Sequence, residues 1–307
     1  MLSVREDSAL QEKDIMMPSL TEHQSNLFTK VLFLGDSKSG KTTALWSLVR
    51  AGYKLRILDF DNLLDPFKER LLAECPSKIG GVEYRTLRDK YKTGPLGVTL
   101  DGPAKAFVDA MKMLDHWKYD DIDYGKPKEW GSDCILIIDS LSRLCDAAYD
   151  FHDMIIKPGK SGDKDGRAVY GQAQDAVEMV LANLTSATFE TNVIVICHEQ
   201  YMEQADGTNK IFPQGVGQKL SPKIPQYFPV YIRLKKLGEK RALQLESDAT
   251  IDLAMPKLKA FETKTLDVDT GLAQIFETLR GKLPVATPVP AAPQVRPKAA
   301  TLQRRVL

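Results

Sequence analysis

Residues 31–43 read Val-Leu-Phe-Leu-Gly-Asp-Ser-Lys-Ser-Gly-Lys-Thr-Thr, an apolar run leading into Gly-x-x-x-x-Gly-Lys-Thr. That spacing suits the wrapping of a phosphate chain. Gly35 and Gly40 let the backbone N–H groups of Asp36, Ser37, Lys38 and Ser39 turn inward at the start of a helix, where the amide dipoles favour an anion. Lys41 then reaches the outer phosphate oxygens, Thr42 holds Mg2+, and Thr43 closes the loop. The segment from Ala44 to Val49 reads as the helix that follows. A nucleotide is the expected ligand.

Two further carboxylate positions fit the same chemistry. Asp139 ends the run Cys-Ile-Leu-Ile-Ile-Asp-Ser, a strand tip suited to holding the metal through water. Ser140 stands where many ring ATPases place a water-activating glutamate, so a general base must come from elsewhere. The segment Leu55-Arg56-Ile57-Leu58-Asp59-Phe60-Asp61 supplies one at its end, with Asp61 the candidate. Strand alternation predicts Asp59 and Asp61 on one face, one orienting the other.

The elements that must position these groups are legible as apolar runs at 31–34, 55–60, 134–138, 193–197 and 229–234. Continuous apolar runs bounded by polar segments predict a mostly parallel sheet covered on both faces, an α/β fold with its ligand at the strand C-termini. Helices are expected over 103–117, with Pro103 in the first turn, and over 168–189. Cys75, Cys134, Cys145 and Cys197 have no metal-type spacing and read as reduced core thiols.

The 307 residues suffice for a substantial core, and 42 basic against 41 acidic side chains predict no strong global attraction to nucleic acid or membrane. No apolar run has the length of a membrane span, and the N-terminus lacks a signal-peptide core, so a cytoplasmic location is expected. A polar tail is read over 1–26, the α/β domain over 27–281, and a disordered Pro/Ala-rich tail over 282–307 carrying Arg296, Lys298, Arg304 and Arg305.

Taken together, these motifs resemble the RecA/RadA recombinase core over roughly residues 30–236, and in type the short bacteriophage Sak-type single-strand annealing ATPases. The resemblance matches Asp59-Phe60-Asp61 followed by Leu64-Asp65-Pro66 to the family's aspartate, catalytic glutamate and Leu-Asp-Pro, with an aspartate in place of the glutamate. The shorter side chain implies slow hydrolysis, or binding without turnover. It also implies ATP and Mg2+ as ligands, Asp139-Ser140 as the metal strand, and His198, ending Asn192–His198, as the sensor of the γ-phosphate.

On the same resemblance, the residues after Asp139-Ser140 up to about Tyr170, with Gly159, Gly162 and Gly166, take the place of a first DNA loop. Residues from Glu199 to about Ile224 take that of a second. In the second, Lys210, Lys219 and Lys223 are candidates for phosphate contacts, and Tyr201 or Phe212 for base stacking. Lys235 and Lys236 serve either the following basic strand or the protection of a sheet edge. A filament or ring is implied, with cations from the neighbour at the ATP, for which Lys257 and Lys259 are the candidates.

The resulting expectation is a RecA-like ATPase acting on single-stranded DNA in recombination or annealing. No separate N-terminal duplex-DNA domain is legible, which favours annealing over strand exchange. The alternatives are a nucleotide-gated adaptor for a replication or packaging partner and a P-loop small-molecule kinase. A kinase usually needs an arginine-rich lid, and no compact arginine cluster stands in the sequence outside the tail.

Overall fold

The computed structural model describes residues 28–95, 97–159, 164–238 and 240–280. The expected tails at 1–26 and 282–307, and Gly162 of the expected first DNA loop, lie outside the described residues.

Nine strands form the main sheet: β1 (Lys30–Gly35), β2 (Lys54–Asp59), β3 (Val82–Thr86), β4 (Gly131–Asp139), β5 (Thr191–Glu203), β6 (Asn209–Pro213), β7 (Val230–Leu237), β8 (Lys240–Gln244) and β9 (Thr265–Asp267). Their order is β9-β8-β7-β1-β5-β4-β2-β3, with β6 paired to β5. The six strands from β7 to β3 run parallel, and β6, β8 and β9 are antiparallel additions. The expected α/β class is therefore found, with a mostly parallel central sheet.

Alternation along the strands divides two cores. β1 sends Leu32 and Leu34 to one face and Val31 and Phe33 to the other; β4 sends Leu136 and Ile138 to the first and Ile135 and Ile137 to the second. The first face is covered by α4 (Ala106–Asp115), α5 (Leu141–Ile155) and α6 (Gly166–Thr185). The second is covered by α1 (Lys41–Ala44), α2 (Trp46–Ala51), α3 (Asp65–Glu74) and α7 (Gly271–Arg280). Where both faces are removed from water, as along Val31–Leu34, Cys134–Ile138 and Val193–Cys197, a strand must be apolar, which is why these segments are readable as runs; β3, at the sheet edge, is mixed in composition and has no buried residue. All four cysteines are free and buried. No described helix is long and apolar enough to cross a membrane.

Three local expectations are corrected. The helix expected from Pro103 begins at Ala106, because Asp89 Oδ1 accepts from Lys105 N at 2.6 Å and Ala106 N at 3.0 Å, a cap supplied from a distant segment. Residues 199–213 are not an open loop: β5 continues to Glu203, and Gln204 N donates to Thr208 O as the chain turns back into β6. Lys235 and Lys236 lie on β7, an interior strand between β1 and β8, so they protect no sheet edge.

Candidate functional site: a phosphate cleft at the strand C-termini

Parallel register brings the chemistry together. Gly35 at the end of β1 pairs with His198 of β5, and Asp59 of β2 pairs with Asp139 of β4. The tips of four adjacent strands thus share one edge, and a cleft of about 680 Å³ opens over it. Ser37, Lys38, Gly40, Lys41, Thr42 and Thr43 line one side, and Asp61, Asp139 and His198 face them.

The loop from Gly35 to Thr43 has the backbone its sequence requires. Gly40 adopts φ 101°, a left-handed conformation that glycine takes without strain. A Cβ at Gly35 would meet Leu234 O and Ser39 Oγ, each at 3.1 Å. Lys41 is 5% exposed, and its Nζ donates to Gly35 O and Asp36 O at 2.8 Å each. Burial lowers the pKa of this ammonium, against the opposing pull of Asp139, Asp61 and other anionic groups. Ser39 Oγ is buried with no hydrogen-bond partner. An unsatisfied hydroxyl, a buried cation and a glycine-shaped loop together fit a phosphate group.

Thr42 Oγ1 donates to Asp139 Oδ2 at 2.6 Å. These hard oxygen donors suit Mg2+, which is commonly held by one or two carboxylates together with substrate phosphates. Burial pushes the Asp139 carboxyl up to about 7, opposed by the Thr42 hydrogen bond and assisted by Asp61 and Asp59. The peptide between Asp139 and Ser140 is cis. Ser140, which caps α5, donates its hydroxyl to Asp61 Oδ1 at 3.0 Å.

Asp61 is the best-connected carboxylate in the cleft. His198 Nε2 lies 3.4 Å from its Oδ2, and Arg143 Nε lies 4.0 Å from its Oδ1. Burial raises its pKa, but bonding to and the charge of His198, with Ser140 and Arg143, outweigh this and hold it below the usual range. Asp59 does not orient Asp61. The strand ends at Asp59, so alternation stops there, and Asp59 instead accepts from Asn62 N at 2.7 Å and Thr86 Oγ1 at 3.0 Å.

Arginines are what sequence reading missed. Arg88 follows β3, Arg143 lies on α5 and Arg241 on β8, yet all three line the cleft. Arg88 Nη1 donates to Asp61 O at 3.1 Å, and a Cβ at Gly40 would fall 2.5 Å from Arg241 Nη1. The expected lack of an arginine cluster is thus corrected: the fold assembles one from segments far apart in sequence. Lys38, Lys41 and these three arginines line the cleft beside two carboxylates, Asp61 and Asp139, an excess of positive charge in the lining suited to a polyphosphate.

The remaining candidates lie elsewhere. Lys210 pairs with Asp252 at 2.9 Å and Lys223 with Glu178 at 2.7 Å, while Lys219 is exposed and Phe212 is half-buried. Lys257 Nζ donates to Leu279 O at 3.1 Å, and neither Lys257 nor Lys259 lines this chain's own cleft.

A family model described as AAA domain (AAA_24) matches residues 27–252. No curated protein matches the chain. Among solved structures, the RadB recombinase is similar at 16% identity and a TM-score of 0.39, covering 71% of this chain and 80% of that one. A prototypical ATPase from the type III secretion system of pathogenic bacteria is similar at 15% identity and a TM-score of 0.39, over 68% and 52% of the two chains. EscN, the type III secretion ATPase of enteropathogenic E. coli, is similar at 14% identity and a TM-score of 0.34, over 68% and 43%. The match over 27–252 takes in the whole phosphate cleft, and the chain belongs to the AAA_24 family of AAA-domain P-loop ATPases.

Proposed function

We propose that residues 27–281 act as one RecA-like domain that binds ATP with Mg2+, hydrolyses it, and works on single-stranded DNA in recombination or annealing, in the manner of the phage Sak-type proteins it resembles. The observation that carries the nucleotide part is the meeting of Lys41, the Thr42–Asp139 pair and the Asp61–His198 pair in one cleft. Residues 35–43 hold the phosphates, and Lys41 leaves the carbonyls of Gly35 and Asp36 to meet the outer oxygens. Thr42 and Asp139 would hold Mg2+, which neutralises charge on the phosphates when bound. Asp61, ionised and fixed by Ser140, orients the attacking water. His198 lies between Lys41 and Asp61 and reports whether the terminal phosphate is present.

The DNA part rests on the resemblance, with Lys210, Phe212, Lys219 and Lys223 as proposed contacts and a filament or ring as the working assembly. Lys257 and Lys259 would then reach a neighbour's nucleotide. A single-strand-binding or replication protein is the proposed partner, and the cytoplasm, of the host if the chain is phage-encoded, the proposed location. The test is ATP turnover by the full chain with and without single-stranded DNA. Marked stimulation supports this reading. Equal rates with nucleotide binding intact favour a nucleotide-gated adaptor.

One observation favours a second reading. Arg88, Arg143 and Arg241 surround the cleft as the arginines of a small-molecule kinase surround a transferring phosphate. Transfer of labelled phosphate to a metabolite rather than to water would select it.

A further inference from the structure

Beyond Arg88 and Arg143 the phosphate cleft meets a second cavity, of about 430 Å³, and these two arginines line both. Its floor is apolar, with Phe60, Leu87, Cys145 and Val216 all buried. Three tyrosines form its walls. Tyr149 and Tyr170 have ring centroids 4.7 Å apart, and Tyr170 and Tyr91 are 47% and 55% exposed. Tyr91 belongs to the hairpin Tyr91–Gly94/Gly97–Leu100, where Lys90 and Lys92 are exposed beside it.

Three acidic side chains border the cavity, each already engaged. Asp89 caps α4, Asp146 pairs with Arg143 at 2.9 Å, and Asp150 accepts from Tyr91 Oη at 2.9 Å. An apolar floor between tyrosine rings suits a flat heterocycle. Each rim carboxylate keeps acceptor sites beyond these contacts, which suit the heterocycle's amino groups, and the cations outside suit phosphates. Lys92 has only a loose contact with Asp101, at 3.9 Å, whereas Lys210 and Lys223 are held more tightly by Asp252 and Glu178, at 2.9 Å and 2.7 Å.

We propose that this cavity takes a base of single-stranded nucleic acid, stacked on Tyr91 and Tyr170, with the flanking phosphates on Arg88, Lys90 and Lys92. The site deepens the single-strand reading above and rests on it. It also joins the two cavities physically. Arg143 pairs with Asp146 on the base side and approaches Asp61 on the phosphate side, so a base that engages Asp146 acts on the group that orients water.

The test is fluorescence anisotropy of a labelled single-stranded oligonucleotide with the full chain. Tyr91→Ala and Tyr170→Ala should each weaken binding about tenfold, and Tyr170→Phe, which keeps the ring, should bind as the parent does. Lys90→Ala with Lys92→Ala should lower the slope of log affinity against log salt by about 1.4, at roughly 0.7 per phosphate contact. An abasic strand of equal length should bind the parent as weakly as the oligonucleotide binds the tyrosine variants. If the abasic strand binds as well as the oligonucleotide, or if only Lys210→Ala, Lys219→Ala and Lys223→Ala lose affinity, the base pocket is overturned while the single-strand reading stands. If the parent binds no oligonucleotide, both fall.

Discussion

His198 Nε2 lies 3.4 Å from Asp61 Oδ2, and Nδ1 of the same ring lies 3.4 Å from Lys41 Nζ. One imidazole therefore links Lys41, proposed to bind phosphate, to Asp61, proposed to orient water. Its backbone is held as well, with His198 N donating to Ser142 Oγ on α5 and Gln214 N donating to His198 O. A displacement of the ring on nucleotide binding would reach both the cleft and the segment that follows β6.

Asp61→Asn removes the charge but keeps the shape. ATP affinity should remain near the parent's, while turnover falls by about a hundredfold or more, the usual scale for losing a positioned acid–base group. Steady-state hydrolysis beside equilibrium nucleotide binding checks both halves; unchanged turnover would move this role to another residue.

Arg241→Ala should weaken ATP binding by about tenfold, the scale of one hydrogen bond to a charged group, and leave AMP affinity unaltered. Its guanidinium lies against Gly40 at the rim of the phosphate loop. Calorimetric titration with the two nucleotides separates a phosphate contact from general damage to the cleft.

Glu199→Ala should destabilise the fold by roughly 3–5 kcal/mol, because it strands Arg233 without its partner. The two side chains are 1% and 8% exposed and meet in two bonds of 2.8 Å. Replacing both together with apolar residues of similar volume should cost much less. Denaturant midpoints of the single and double variants provide the measurement.

Lys30 sets a pH dependence. It is 1% exposed, donates to Phe189 O and Thr191 O, and burial holds its ammonium down to about 7. In the unfolded chain the group titrates near 10.4, so between about 7 and 10.4 the unfolded state binds the extra proton. Lys30 should therefore make stability rise with pH across that window, by at most about 1.4 kcal/mol per unit, with the full penalty of charge burial present below it. Lys30→Met should flatten this rise in denaturation curves taken across the window.

What the sequence made legible was contiguous or periodic. The loop from Gly35 to Thr43 is one uninterrupted string, and Asp139 closes a run of buried residues that only a covered parallel strand requires. Arg88, Arg143 and Arg241 were illegible because the topology, not local pattern, brings β3, α5 and β8 to the same edge. The β5–β6 hairpin did leave a signal in Asp206-Gly207, where Gly207 takes φ 79° between two strands. Asp61 shows the limit of strand alternation: Asn62 at φ 56° belongs to a turn that begins once β2 has ended at Asp59.

The nucleotide at the phosphate loop is tested most directly by titrating ATP, with Mg2+ present, into the full chain and into its Lys41→Ala variant. Saturable binding by the parent and a loss of at least about tenfold in the variant are predicted, since an ammonium bonded to phosphate contributes on that scale. Equal affinity in the two proteins, or no binding by a folded parent, would contradict the assignment of this cleft to ATP.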